Sequence, residues 1–254
     1  MSEPGKRIAV LDALRGAALV QMVVYHGLYD WVYVFGQSAA WFTASRNAYL
    51  WQQAICWTFI LVSGASFHYS RRGLRRGALV FGCGMLLTAV TLAVLPSERI
   101  LFGVLHFLGL AMMLSAAVRG LLLRVPACAG FLASAALFCL TKQLPYGFLG
   151  FLDVRLWALP QTLYQSAWTF PLGLMGPGFY SADYFPLFPW LFLFWAGLYG
   201  WRLLMATRAG AALRALRPVP VLNALGRRSL LCYMLHQPLL LAAVWLLAAA
   251  VRAG

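Results

Sequence analysis

The chain is poor in charge, and poorest in negative charge. Only 10% of its 254 residues are charged, and six acids stand against twenty lysines and arginines. An ordinary soluble domain carries about a quarter of its residues charged, so this composition, with 63% hydrophobic residues, excludes one. Histidine is scarce as well: His26, His68, His106 and His236 lie in separate stretches, without an HxxxH pair or a carboxylate cluster. A tetrahedral zinc site needs ligands that converge, so no metal is expected. The cysteines, Cys56, Cys83, Cys128, Cys139 and Cys232, all fall inside apolar runs with no CxxC pair, and read as small core residues. A G-x-S-x-G elbow, a P-loop and a Gly-rich dinucleotide fingerprint are all missing, which removes the soluble hydrolase, nucleotide and dehydrogenase classes. The last apolar run has no lysine for a Schiff base, which excludes a seven-span photoreceptor.

What the chain has is long apolar runs. A helix needs about 20 residues to cross a bilayer. Seven segments meet that length or come near it: 8–29, 47–67, 74–95, 100–118, 125–141, 184–204 and 229–251. The expected fold is therefore all-α, a polytopic transmembrane helix bundle of about seven spans in one domain, 1–254, with membrane lipids as its surroundings. Cations cluster in alternate connections. Lys6 and Arg7 precede the first span, Arg71, Arg72, Arg75 and Arg76 follow the second, and Arg119 and Arg124 follow the fourth. Arg202, Arg208, Arg214, Arg217, Arg227 and Arg228 surround the connection from sixth to seventh. The positive-inside rule then puts the N-terminus in the cytoplasm and the C-terminus outside, and explains the basic excess without nucleic acid. The first run is expected to stay in the mature protein, because Asp12 and Arg15 interrupt it and no A-x-A site follows. The long connection 143–183 is broken by Pro145, Pro160, Pro171 and Pro177, and its aromatics predict a short interfacial or re-entrant helix near 154–170 on the exoplasmic side.

The stretch 11–30, LDALRGAALVQMVVYHGLYD, organises the rest. It is apolar enough for a bilayer, yet it holds Asp12, Arg15, Gln21, His26 and Asp30. An ionisable group at the bilayer centre costs at least ~2.5 kcal/mol on insertion scales, so such groups turn to a bundle interior or a wet cavity. Asp12 to Arg15 is a step of three, Arg15 to Met22 of seven, and Met22 to His26 and His26 to Asp30 of four, which puts all five on one helical face. His106, in GVLHFLGL, is expected at a depth similar to His26, and the two could converge on one outward-facing cavity. His236, in SLLCYMLHQP, is expected nearer the cytoplasm, at the depth of Arg15, where Pro238 frees a backbone carbonyl.

Four segments in order, LDALRG with His26 and Asp30 behind it, GVLHFLGL, DYFPLFPWLFLFWAG and LGRRSLLCYMLHQP, resemble the catalytic-domain family of heparan-α-glucosaminide N-acetyltransferase, including its smaller bacterial relatives. The last segment also looks like the terminal helix of broader membrane acyltransferases. The resemblance implies transfer of an acyl group, commonly acetyl, from cytoplasmic acyl-CoA to a hydroxyl or amine, often of a sugar, on the far side of a membrane. A bacterial inner membrane is the expected host. The matching positions include Asp12, Arg15, Gly16, His26, His106, Asp183, Pro189, Trp190, Ser229 and His236.

In that chemistry His26, oriented by Asp30, is the expected base or acyl relay, and His106 completes the site or donates to the carbonyl oxygen. Arg15 with Asp12, His236 and the loop residues Arg71, Arg72 and Arg75 are the expected donor side, since guanidinium groups match phosphate oxygens. Asp183 and Trp190 stand on the acceptor side, although Asp183 is equally suited to N-cap the sixth span. A different class shares the same polar stripe: a conduit for a small solute or lipid, with His26 and Asp30 as proton-coupling groups.

Overall fold

A computed structural model describes residues 8–43, 45–151 and 154–253, with side chains as far as 247. Lys6 and Arg7, two of the expected topological cations, lie outside the described residues. The described chain is mostly helical and divides into two compact units, Met1–Val62 with Arg208–Gly254, and Ser63–Thr207.

The first unit is built on α1, Ala9–Tyr29, which continues into a π turn, Asp30–Val34. Against it pack α9, Pro220–Arg227, and α10, Ser229–Ala253, with the first part of α2, Arg46–Phe67, and the short α8, Arg208–Ala215, completing the unit. Small residues make the α1–α9 contact close. A Cβ on Gly16 would lie 2.0 Å from the Leu222 carbonyl oxygen, and one on Gly226 1.8 Å from that of Asp12. Apolar side chains gain little by meeting in lipid, so helices associate through such backbone approach and through hydrogen bonds. Asn223, fully buried, supplies both at once: its Nδ2 donates to the Ala9 carbonyl at 2.6 Å and its Oδ1 accepts from the Val219 N–H at 2.6 Å. Leu19, Met22 and Ile55 form the apolar centre, with Tyr25, Cys232 and Tyr233 against it.

The direction of α10 follows from its partners. Cys232 and Tyr233 meet the Leu19–Met22 level of α1, His236 meets His26, and Gln237 meets Asp30, so α10 runs parallel to α1. Leu231, Leu235 and Leu239, spaced by four, are exposed, which gives α10 an apolar outer stripe. The side facing α1 carries His236 and Gln237.

The second unit begins with the last turn of α2 and contains α3, Gly73–Val94, α4, Val104–Ala117, α5, Arg119–Arg124, α6, Ala127–Thr141, and α7, Leu187–Met205. Two arginines tie helix ends that have no intrahelical acceptor use for their carbonyls. Arg119 donates to the carbonyls of Phe67, His68 and Ser70 at 3.4, 3.1 and 2.8 Å, and Arg202 to those of Leu122, Leu123 and Val125. These cations are therefore used by the fold and not only as topological signals.

Two expectations change. No helix occupies 154–170: Val154–Ala158 is a strand, β2, paired antiparallel with β1, Phe148–Phe151, and 3-10 turns follow at Gln161–Tyr164 and Phe170–Leu172. Val154, Leu156 and Trp157 suit a strand, Arg155 lies over the Phe148 ring, and Pro160 and Pro171 remove the N–H groups and the preceding helical φ/ψ that a helix needs. The expected span from 100 starts only at Val104, because 99–103 is extended and bonded to 181–185: Ala182 N–H donates to the Arg99 carbonyl and Phe185 N–H to that of Phe102.

Among the described residues, four helices are long and apolar enough to cross a membrane: Gly73–Val94, Ala127–Tyr146, Leu187–Met205 and Ser229–Leu247. α1 and α2 have the length, at 21 and 22 residues, but the polar side chains that single out α1, and Arg46, Gln52 and Gln53 in α2, lower their hydropathy. α4 is apolar throughout but has only 14 residues, about 21 Å of helix against a ~30 Å core. The chain is a helical integral membrane protein.

Candidate functional site

The polar residues gathered in the first unit come from one face of α1 and one of α10. His26 and Asp30 stand one turn apart at the C-terminal end of α1, in the segment where the helix loosens into its π turn. Asp30 is wholly buried, and a carboxylate there needs donors. The Gln237 amide nitrogen donates to both its oxygens, at 2.9 and 3.1 Å. The His26 ring lies 5.0 Å, centre to centre, from that of His236, tilted by 56°.

The chain fixes the protonation pattern of His236. Its Nδ1 is bonded to the Tyr233 carbonyl, which can only accept, so Nδ1 carries the hydrogen and Nε2 keeps a lone pair in the neutral ring. That carbonyl, and not the one freed by Pro238, holds the ring. Instead of sharing a level with Arg15, His236 belongs with His26, because α10 runs parallel to α1. Gln237 was not among the expected site residues, and the structure pairs it with Asp30; its one signal in the sequence was an amide beside His236 in a largely apolar run.

Arg15 and Asp12 form the other half of the α1 stripe. Arg15 Nη1 is 2.9 Å from Asp12 Oδ1 and 3.3 Å from the Gly226 carbonyl, so the pair closes the end of α9 onto α1.

In the second unit, both nitrogens of His106 are engaged. The Gly103 N–H donates to Nδ1 at 3.2 Å, which forces the hydrogen onto Nε2. Thr88 Oγ1 donates to the Ile100 carbonyl at 2.6 Å and so accepts from Nε2–H at 3.2 Å. The ring is 1% exposed, stacked on Phe102, and Gly84 lies so near that a Cβ there would be 2.9 Å from His106. Asp183 works beside it: its Oδ2 accepts from the Val104 N–H at 2.9 Å. Asp183 therefore caps α4 from a distant part of the chain and not α7, the sixth span it had been expected to cap. Both residues satisfy donors at one helix start, where backbone N–H groups lack partners.

Asp183→Ala is expected to cost about 1–2 kcal/mol, as loss of an N-cap does. Thermal melting in detergent should fall with the acceptor KM unchanged; an intact melt with a raised KM would instead put Asp183 on a substrate.

Trp190 packs between Phe185 and Phe138, with ring centres at 5.0 and 5.8 Å. Arg71, Arg72 and Arg75 are exposed at the start of α3. Next to them, His68 follows the end of α2, and its carbonyl accepts from Arg119. Burial first, then the charges of Arg202 and Arg119, hold the pKa of its ring below the ordinary histidine value. Among the described residues no group of three or more His, Cys, Asp or Glu could hold a metal ion.

No curated protein and no solved structure matches the chain. A family model described as heparan-alpha-glucosaminide N-acetyltransferase, catalytic, matches residues 7–238 of the 254.

Proposed function

We propose a function from one premise: this chain belongs to the heparan-alpha-glucosaminide N-acetyltransferase catalytic family. It moves an acetyl group from cytoplasmic acetyl-CoA to an amine or hydroxyl, in the first instance of a sugar, on the exoplasmic side of a bacterial inner membrane. The observation that carries this reading is the meeting of His26 with His236 beside the buried Asp30–Gln237 pair, within a chain of that family.

The chemistry asks for a base at the acceptor. His26, set by its contact with His236 and one turn from Asp30, takes the proton as the acceptor nitrogen or oxygen attacks the thioester carbonyl. The C–S bond breaks, the new C–N or C–O bond forms, and the CoA thiolate leaves with the proton that the imidazolium returns. Covalent relay through the His26 ring is the same chemistry in two steps. Arg15 ties helices in this reading, and the exposed Arg71, Arg72 and Arg75 are left to receive CoA phosphates. His106 and Asp183 secure the start of α4 and so act through structure.

The parallel course of α1 and α10 asks for an odd number of crossings between them, which the three intervening helices of membrane length, α3, α6 and α7, would satisfy and so would five if α2 and α4 also cross. Purified protein given labelled acetyl-CoA and a panel of amino sugars and glycosides is expected to release CoA and label the acceptor. Uptake of solute into liposomes with no consumption of acetyl-CoA would overturn the reading in favour of a transporter.

A further inference from the structure

Among the described residues of the first unit, two buried side-chain atoms have no hydrogen-bond partner: Nε2 of His236 and Oε1 of Gln237. Such atoms are uncommon in folded proteins, and each calls for a reason. Their chemistry is fixed by what their side chains do elsewhere. The Tyr233 carbonyl takes the Nδ1 hydrogen of His236, so Nε2 is an acceptor. The Asp30 carboxylate holds the amide nitrogen of Gln237, so the amide has one orientation and its oxygen is turned away from Asp30. Both open positions are therefore acceptors. They are adjacent in sequence, about 100° apart around α10, and their side chains meet His26 and Asp30 on the first helix.

We propose that His236 and Gln237 form the recognition subsite for the acyl acceptor, selective for a ligand that presents two hydrogen-bond donors, as an amino alcohol or a vicinal diol does. A thioester or an acyl chain has no donor to give and gains nothing there. An amino sugar satisfies both atoms, and its nucleophilic group is then held beside the His26 ring. The term acceptor rests on the acyl-transfer reading; the selectivity for donors does not.

The test is calorimetric titration of methyl glucosaminide into the purified full-length protein in detergent, without acyl-CoA. The permethylated glycoside, which has no donors, is the control. Two variants remove one acceptor atom each and keep the contact that positions it. His236→Asn retains an N–H for the Tyr233 carbonyl but has no Nε2, and Gln237→Lys retains a donor for Asp30 but has no Oε1. Each is expected to weaken binding about tenfold or more, as loss of a buried hydrogen bond does. In wild type labelled with 15N-histidine, the Nε2 resonance that His236→Asn removes should report an unprotonated nitrogen and move as the glycoside saturates.

Equal affinity for the permethylated sugar, unchanged affinity in both variants, or an Nε2 resonance that stays fixed at saturation would each overturn the subsite. So would failure of wild type to bind the glycoside, the result expected if water alone fills these positions. Acetyl-CoA turnover with an acceptor KM indifferent to both variants would remove the subsite and keep the acyltransferase. Binding that depends on both residues, in a protein that consumes no acetyl-CoA, would do the reverse.

Discussion

Replacing His26 with alanine is expected to reduce acetyl transfer by about 10²- to 10⁴-fold, the range that a positioned general base contributes. The protein should remain folded, because His26 carries less of the packing than its neighbours. Leu19 and Met22 are the buried α1 residues of the apolar cluster, and the α1–α9 approach lies further back at Gly16. The readout is release of CoA from labelled acetyl-CoA, alongside gel-filtration elution of the variant. If acyl transfer is direct, no labelled enzyme appears in either protein. If His26 is the relay, wild type carries acid-labile label in the absence of acceptor and His26→Ala carries none. Full activity in a folded His26→Ala protein would sink the assignment. Loss of activity with loss of folding would be separated from it by His26→Gln, which keeps a polar side chain against His236 and lacks the basic nitrogen.

The second large effect is structural. Gly226→Leu is expected to dismantle the first unit, because the Cβ alone would sit 1.8 Å from the Asp12 carbonyl oxygen and the obstacle is backbone, which cannot rotate aside. Moving α9 away to relieve this would take Gly226 from Arg15 and Asn223 from Ala9. Overpacking of this kind costs about 1–3 kcal/mol and more where relaxation breaks other bonds. Buried partners left unsatisfied would add about 1–3 kcal/mol each. The expected result is aggregation on extraction or a sharply lowered melting temperature. Gly82→Leu and Gly120→Leu are the controls: nothing lies within 4 Å of a Cβ at either position, so both should behave as wild type. A Gly226→Leu protein as stable as these controls would contradict the close contact of α1 with α9.

The two expectations differ in how far they could be seen in the chain alone. His26 could be found because an imidazole four residues from a carboxylate, inside an apolar run, has few places to go except inward, and helical spacing tells which neighbours share its face. The four ordered segments carried the family, which the match over residues 7–238 shows. Other parts depended on contacts between residues far apart in sequence. His106 also lies in an apolar run, without a nearby carboxylate, and Gly103 and Thr88 occupy both its nitrogens. Asp183 was legible as a cap but its helix was not, since the N–H it takes lies 79 residues away. The segment after Val154 looked helical in its aromatic content, and proline and strand pairing prevailed.

The sequence by itself determined the solvent of this protein and the sign of its chemistry. A chain with so few acids and such long apolar runs must place its helices in a bilayer, and the ionisable groups left in the first helix must turn toward protein. Only tertiary structure decided which groups meet. The partner of His26 is His236 because α10 runs parallel to α1 and brings their later turns together, a matter of helix direction that spacing along one helix cannot contain. The same packing gave Asp30 its amide donor and left two acceptors open. These two atoms are presented as acceptors only because the donors of His236 and Gln237 are taken by groups that folding puts beside them.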